Sequence, residues 1–384
     1  MAGMAWADAG DTLNLTLSET LMTDSNLFRL PTGLEASAPS GRSQRSDRMR
    51  VDAIGLTLDK TYSLQRFHVD TSYAKYRFAT FNYLDYSARN GSARWTWALT
   101  PRLTGNLSVD QKQSLNSFAD FRNFSQRNVN TTTGRNADLD FLISGGWHLT
   151  AGASRRKNVN TVAFLEGQDY DNRGGQAGLR YVAADGDYLA WQMRLTRGLY
   201  PAARIDPVAL TDTAYRQVDH ELLARWTLSG HSLLEGRVTE LERRNANFAV
   251  RDYRGTAGRL DYTWTPTGKT HMRASAARDY GSYVASNSSY RVTDTLTLAP
   301  AWQVAAKTLL RLKLDRIEIS YLGSPGLSAG GRADRQRSAQ LSFDWTPTKA
   351  LTLAAGLQRD ARRSTAAGLD YDDTSATLTV QLAF

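Results

Sequence analysis

The 384-residue sequence has no cysteine. That absence removes disulfide frameworks, thiolate zinc and iron–sulfur sites, and thiol nucleophiles together. No apolar run reaches the roughly 18–20 residues a membrane-spanning helix needs. The mean hydropathy of −0.46 excludes a bundle of such helices. Histidine is scarce: His68, His148, His220, His231 and His271 are the five, and none forms a metal-binding pair at helical spacing. There is no Gly-x-Ser-x-Gly elbow and no phosphate-binding glycine loop. The sequence therefore predicts no enzyme, no metal and no cofactor. With 41% hydrophobic and 10% aromatic residues and only nine prolines, it is also too apolar for a disordered chain. The net charge of +9 does not choose between nucleic acid, a membrane surface and an acidic polymer, so the position of the charges must decide.

What is present is alternation. Leu13, Leu15 and Leu17 alternate with Thr12, Asn14, Thr16 and Ser18. Ala339, Leu341, Phe343 and Trp345 alternate with Ser338, Gln340, Ser342 and Asp344, and the chain closes on Leu378, Val380, Leu382 and Phe384 against polar partners. Successive side chains of a strand point to opposite faces, so each segment has one apolar and one polar side. The connections alternate as well. Tight turns at Asp59-Lys60-Thr61, Thr100-Pro101-Arg102, Ser144-Gly145-Gly146, Ala184–Asp187, Ser229-Gly230-His231, Thr265–Gly268 and Thr346–Lys349 lie between longer polar stretches. Short turns on one side and long loops on the other are the pattern of an outer-membrane barrel.

Counting gives about eighteen strands, with sixteen to twenty acceptable: near 11–22, 48–58, 64–76, 84–98, 102–112, 136–144, 147–155, 174–184, 187–198, 215–228, 232–242, 254–264, 269–280, 290–299, 304–319, 336–346, 350–360 and 371–384. The expected fold class is all-β: an antiparallel transmembrane β-barrel, integral to the outer membrane of a Gram-negative bacterium, with short periplasmic turns and longer external loops. An even count places both termini on the periplasmic side. In the strand near 304–319 the apolar phase changes between Leu314 and Ile317, which predicts a β-bulge near Asp315-Arg316. Ala5-Trp6-Ala7 before Asp8 has the small-x-small form of a signal-peptidase site. Residues 1–10 therefore read as a signal-peptide remnant or a disordered N-terminus, and residues 11–384 as one barrel domain.

Tryptophan placement supports the same orientation. Trp95, Trp97, Trp147, Trp191, Trp226, Trp264, Trp302 and Trp345 all fall close to proposed short turns and none in a long loop. Indole prefers the membrane–water boundary, so these are the expected periplasmic girdle. If apolar residues face lipid, the other parity lines the lumen. Candidate pore-lining residues are Arg94, Arg156, Arg180, Arg194, Arg225, Arg237, Arg259, Asp261, Arg273, Arg311, Lys313 and Asp344, a mixed-charge wall with an arginine excess. They are expected either to pair with neighbouring carboxylates or to contact a passing anion or glycan. Basic residues also cluster at the external ends: Arg42, Arg45, Arg48 and Arg50; Arg155, Arg156 and Lys157; Arg243 and Arg244; Arg251 and Arg254; Arg332, Arg335 and Arg337; Arg359, Arg362 and Arg363. Arginine grips phosphate bidentately, so lipopolysaccharide is the expected partner there, with capture of an acidic polymer as the alternative. Nucleic acid is not expected, because most of these clusters lie at the opposite end from the tryptophans.

The terminal Phe384 resembles the C-terminal aromatic that the barrel assembly machinery reads in outer-membrane proteins. Asp24-Ser25-Asn26-Leu27-Phe28-Arg29-Leu30-Pro31, taken with the barrel pattern and Phe384, resembles the EpsL-type outer-membrane proteins associated with exosortase loci. That resemblance implies a passive channel for export of extracellular polysaccharide, served by periplasmic export components. The residues alone leave two alternatives open: a general diffusion porin, or a plugged barrel that docks an export assembly. Locally, residues 24–31 either fold inward, with Phe28 as a plug contact, or simply end a strand.

Overall fold

A computed structural model describes residues 12–31, 33, 43–120, 125–285, 288–323 and 331–384. The N-terminal segment 1–10 and Arg42 lie outside the described residues. The strands are β1 (Leu13–Asp24), β2 (Asp47–Tyr62), β3 (Gln65–Phe78), β4 (Tyr86–Thr100), β5 (Leu103–Leu115) and β6 (Val129–Ser144). Then follow β7 (Trp147–Val159), β8 (Tyr170–Val182), β9 (Tyr188–Leu199), β10 (Ala214–Ser229), β11 (Ser232–Asn245) and β12 (Tyr253–Thr267). The last six are β13 (Thr270–Ala285), β14 (Ser288–Ala305), β15 (Thr308–Leu322), β16 (Ala333–Trp345), β17 (Leu351–Ser364) and β18 (Tyr371–Ala383). Each pairs antiparallel with its sequence neighbours, and β1 pairs with β18, which closes an eighteen-stranded barrel.

The alternation in sequence becomes an inside and an outside. Leu17, Ile54, Tyr73, Leu107, Leu139, Leu179, Leu222, Leu260, Leu296, Leu341 and Leu378 are among the large apolar side chains left exposed, and all lie on the outer parity of their strands. A soluble sandwich would bury that parity between two sheets. Here the sheet is curled on itself and the apolar side faces out, which is stable only against hydrocarbon.

Three local expectations are corrected. The first short turn is at Ser63-Leu64, not Asp59–Thr61, because β2 and β3 remain paired out to Tyr62 and Gln65; Ser63 takes the left-handed backbone the reversal needs (φ 54°). The predicted bulge near Asp315-Arg316 is absent: β15 keeps an unbroken register with β14 and β16 from Leu314 to Ile319. The phase change instead turns Ile317 and Ile319 to the lumen side, where Ile319 is buried. Finally, β13 and β14 continue beyond the sequence boundaries to a hairpin pairing Ala285 with Ser288, since backbone pairing outside the bilayer needs no apolar face.

Close strand approach depends on one glycine in particular. A Cβ on Gly105 would overlap the Asp138 carbonyl oxygen and the ring of Trp97. The expected result for Gly105→Val is a barrel destabilised by about 1–3 kcal/mol through forced displacement of the indole and of β6, read as a lower thermal midpoint in detergent.

Candidate functional site: the lumen and its plugged mouth

All twelve predicted lining residues lie on the parity opposite to the exposed apolar side chains. Most are engaged with carboxylates. Arg259 Nε and Arg273 Nη2 grip Asp261 from two strands at 2.6 and 2.8 Å. Arg194 reaches Glu221 at 3.1 Å, and Lys313 reaches Asp315 at 2.8 Å. Arg311 pairs with Asp344. Asp140 is held by Arg180 and lies 2.5 Å from His148 Nδ1. Looser pairs join Arg225 to Glu235 and Arg156 to Asp110, both at 3.9 Å. Arg94 and Arg237 have no carboxylate partner among the described residues. Among these twelve residues the wall is thus a set of ion pairs within and across strands, with two guanidiniums that lack a carboxylate among the described residues. Exposed ion pairs in water contribute little to stability; their physical effect here is to fix where positive and negative charge meet a solute.

The external mouth is built by residues that sequence reasoning largely missed. Segment 24–31 folds inward. Phe28 packs against Phe81 at 4.9 Å and Phe118 at 4.8 Å between ring centroids. Together with Leu27, Leu30, Phe78 and Leu84 they form an apolar cluster in which Phe28 is 3% exposed and Phe81 and Leu84 are fully buried. Three external connections supply it: those after β1, β3 and β5. Polar groups tie these loops to the barrel rim. Asp47 accepts the Thr80 and Phe81 backbone N–H groups, Arg29 pairs with Asp24 at 2.9 Å and Asp373 at 3.3 Å, and Arg45 donates to the Leu30 and Pro31 carbonyls.

The β5–β6 connection reaches farthest. Asp120 pairs with Arg332 at 2.7 Å and Arg362 at 2.8 Å, and Arg362 also donates to the Ala119 carbonyl. β5 and β17 stand six strands apart around the ring, so this loop crosses the mouth as a chord. Burial opposes ionisation of Asp120, but the two guanidiniums outweigh it and hold its carboxyl below the usual carboxylate range.

The predicted external basic clusters are not one population. Strand parity divides them. Arg45, Arg243, Arg251, Arg332 and Arg362 turn inward, and Arg251 and Arg362 are buried; Arg156 faces Asp110 across the lumen wall. Arg50, Arg155, Arg244, Arg254, Arg335, Arg337, Arg359 and Arg363 lie on the outer parity above the apolar band. At the other end, the eight tryptophans near the short turns lie on the outer parity. Seven are exposed, and Trp97 lies across Gly105. Phe384 exchanges backbone hydrogen bonds with Leu15 at 2.8 and 3.0 Å, within the β1–β18 seam.

A closed, eighteen-stranded barrel with an apolar exterior and a charged lumen is an integral protein of the outer membrane of a Gram-negative bacterium, and its fold is that of the porins. No family model matches the sequence and no curated protein matches it. Solved structures do. The BenF-like porin of Pseudomonas fluorescens Pf-5 superposes with a TM-score of 0.53 at 12% identity over 97% of this chain and 98% of that one. OpdK of Pseudomonas aeruginosa, solved with vanillate, gives 0.51 at 12% over 97% and 99%. OccK2 (OpdF) of the same organism, solved in complex with glucuronate, gives 0.51 at 10% over 97% and 98%. At these identities the likeness is one of fold. None of these proteins connects the chain to exosortase or polysaccharide export.

Two outcomes follow for the mouth. Phe28→Ala removes a buried ring at a cost of about 3–5 kcal/mol to the plug; single-channel recordings are expected to show larger and noisier conductance, with the barrel's thermal midpoint little changed. The Asp120 clamp acts fully at neutral pH and is lost as pH falls through its lowered pKa. Acidifying the external side below the ordinary carboxylate range is therefore expected to raise conductance, and Asp120→Asn to raise it at pH 7.

Proposed function

We propose that the protein is a passive outer-membrane channel for small anionic solutes, with carboxylates as the favoured class. The observation that carries this reading is the arginine-rich inner wall, in which Arg94 and Arg237 lack a carboxylate partner among the described residues and clamps such as Arg259–Asp261–Arg273 present further guanidinium N–H groups. A guanidinium fork matches a carboxylate bidentately, and a low-dielectric wall focuses the field of such groups into the pore. The plug narrows the mouth, which favours small solutes over a wide polymer route. That OpdK and OccK2 were solved with vanillate and glucuronate, both carboxylates, supports the class. The tryptophan ring marks the periplasmic interface in this reading, and no energy source is required because the solute moves down its gradient. Polysaccharide export, implied by the resemblance of residues 24–31, loses its local basis, since those residues have a structural role in the plug.

The test is conductance of the refolded protein in planar bilayers under a KCl gradient. The expected reversal potential is anion-selective, and a simple aromatic or sugar carboxylate should block at concentrations where its methyl ester does not. Arg237→Gln should weaken that block several-fold; Asp261→Asn should increase anion selectivity by leaving Arg259 and Arg273 unneutralised. Block by neutral oligosaccharide alone would return the reading to glycan export. A folded barrel with no conductance, even after Phe28→Ala, would make it a docking barrel.

A further inference from the structure

The outer face of β12–β17 carries a groove of about 780 Å³ that faces away from the lumen. The register builds it. In one row of outward residues Ala276 lies between Leu260 and Leu296, and the row continues to Arg316 and Arg337. The adjacent row ends at Ala339 and Arg359. Alanine beside leucine leaves a furrow in the apolar surface, and the furrow leads to guanidiniums.

Height and charge identify what fits it. Arg337 stands eight residues from Trp345 along β16. At about 3.3 Å per residue and a tilt of about 40°, that is roughly 20 Å above the tryptophan plane, at the outer boundary of an apolar band about 25 Å tall. Here five outward guanidiniums, Arg278, Arg316, Arg335, Arg337 and Arg359, outnumber two carboxylates, Asp294 and its register partner Glu318. Glu318 is taken by Arg316 at 2.7 Å and Arg335 at 3.2 Å, while Arg337 and Arg359 are exposed and have no carboxylate partner among the described residues. Arg278 is matched with Asp294. Of the outward arginines on other strands some are matched, Arg50 with Glu19 and Asp52 and Arg155 with Asp171, and others, such as Arg135, Arg197 and Arg216, have no ion-pair partner among the described residues. A second outward arginine row, Arg135, Arg155, Arg173, Arg197, Arg216 and Arg244, crosses β6–β11; what marks the groove is that its unneutralised guanidiniums stand at the end of an apolar trough, at headgroup height.

We propose that this groove binds lipid A, the diphosphorylated glycolipid of the outer leaflet, with an acyl chain in the furrow and a phosphate on Arg337 and Arg359. Phosphate oxygens match the guanidinium fork, and the trough supplies apolar contact that a soluble anion would not use. The site is independent of what passes through the lumen.

The test is lipid binding to the protein refolded in detergent free of lipopolysaccharide, read by native mass spectrometry with diphosphoryl lipid A, dephosphorylated lipid A and phosphatidylglycerol as probes. Wild type should retain diphosphoryl lipid A selectively. The Arg337→Gln/Arg359→Gln double variant should weaken that binding by at least about tenfold, the scale of one lost charge-assisted hydrogen bond. Arg278→Gln should leave it unchanged. Ala276→Phe fills the furrow without altering charge and should also weaken binding. Heat-shifted gel mobility confirms that each variant is folded, and Arg337→Lys/Arg359→Lys, which keeps charge but loses the fork, should fall between. Equal binding by wild type and the double variant would overturn the site, as would equal retention of phosphatidylglycerol or of dephosphorylated lipid A.

Discussion

The structure depends on closing the backbone hydrogen-bond ladder. In hydrocarbon no water satisfies a free N–H or C=O, so an open sheet edge cannot cross a bilayer. The seam between β1 and β18 removes both edges at once. It joins Thr16–Asp24 to Ser375–Ala383 in one unbroken register, and Phe384 extends the ladder by pairing with Leu15. The first and last strands must therefore both be in place before the barrel is complete. With the ladder closed, every strand is held on both sides, and the side chains are free to serve two different solvents.

That division by parity governs the rest. A residue shifted by one position along a strand moves from lipid to lumen. Arg335 and Arg337 face outward while Asp334 and Gln336 face in. Arg155 pairs with Asp171 on the outer face, and its neighbour Arg156 with Asp110 inside. A charge at mid-depth on the lipid face costs roughly 2–4 kcal/mol, so the outward arginines occur only above the apolar band, where phosphate headgroups stand. The inward parity carries charge from strand to strand, most of it in ion pairs. One repetitive rule thus separates a channel lining from a lipid contact surface on the same strands.

The mouth follows a different rule. Its apolar cluster of Leu27, Phe28, Phe81 and Phe118 is the part of the molecule that resembles the core of a soluble protein. It gathers side chains from three external loops, and each loop is pinned by a buried carboxylate or guanidinium. Asp47 caps backbone N–H groups of the β3–β4 connection, and Arg362, 1% exposed, anchors Asp120 from across the opening. The barrel wall tolerates change here because its ladder is complete without the plug, so the opening can be tuned separately from the fold.

The sequence by itself determined the barrel and a count of about eighteen strands, because a period of two is local and each strand repeats it. It also located the tryptophans at one end, since turn length and indole position are both local signals. It misread Ile317 and Ile319, where a change of apolar phase looks the same whether the strand bulges or the residues turn inward to meet a loop. It grouped Arg332, Arg335, Arg337 and Arg362 together, although neighbouring parities send them to different solvents. Only the tertiary structure decided the plug. Asp120 meets Arg332 and Arg362 across separations of 212 and 242 residues, and no periodicity encodes a contact between loops. The groove before Arg337 and Arg359 was likewise settled by register across six strands, which depends on how the strands align and not on any one of them.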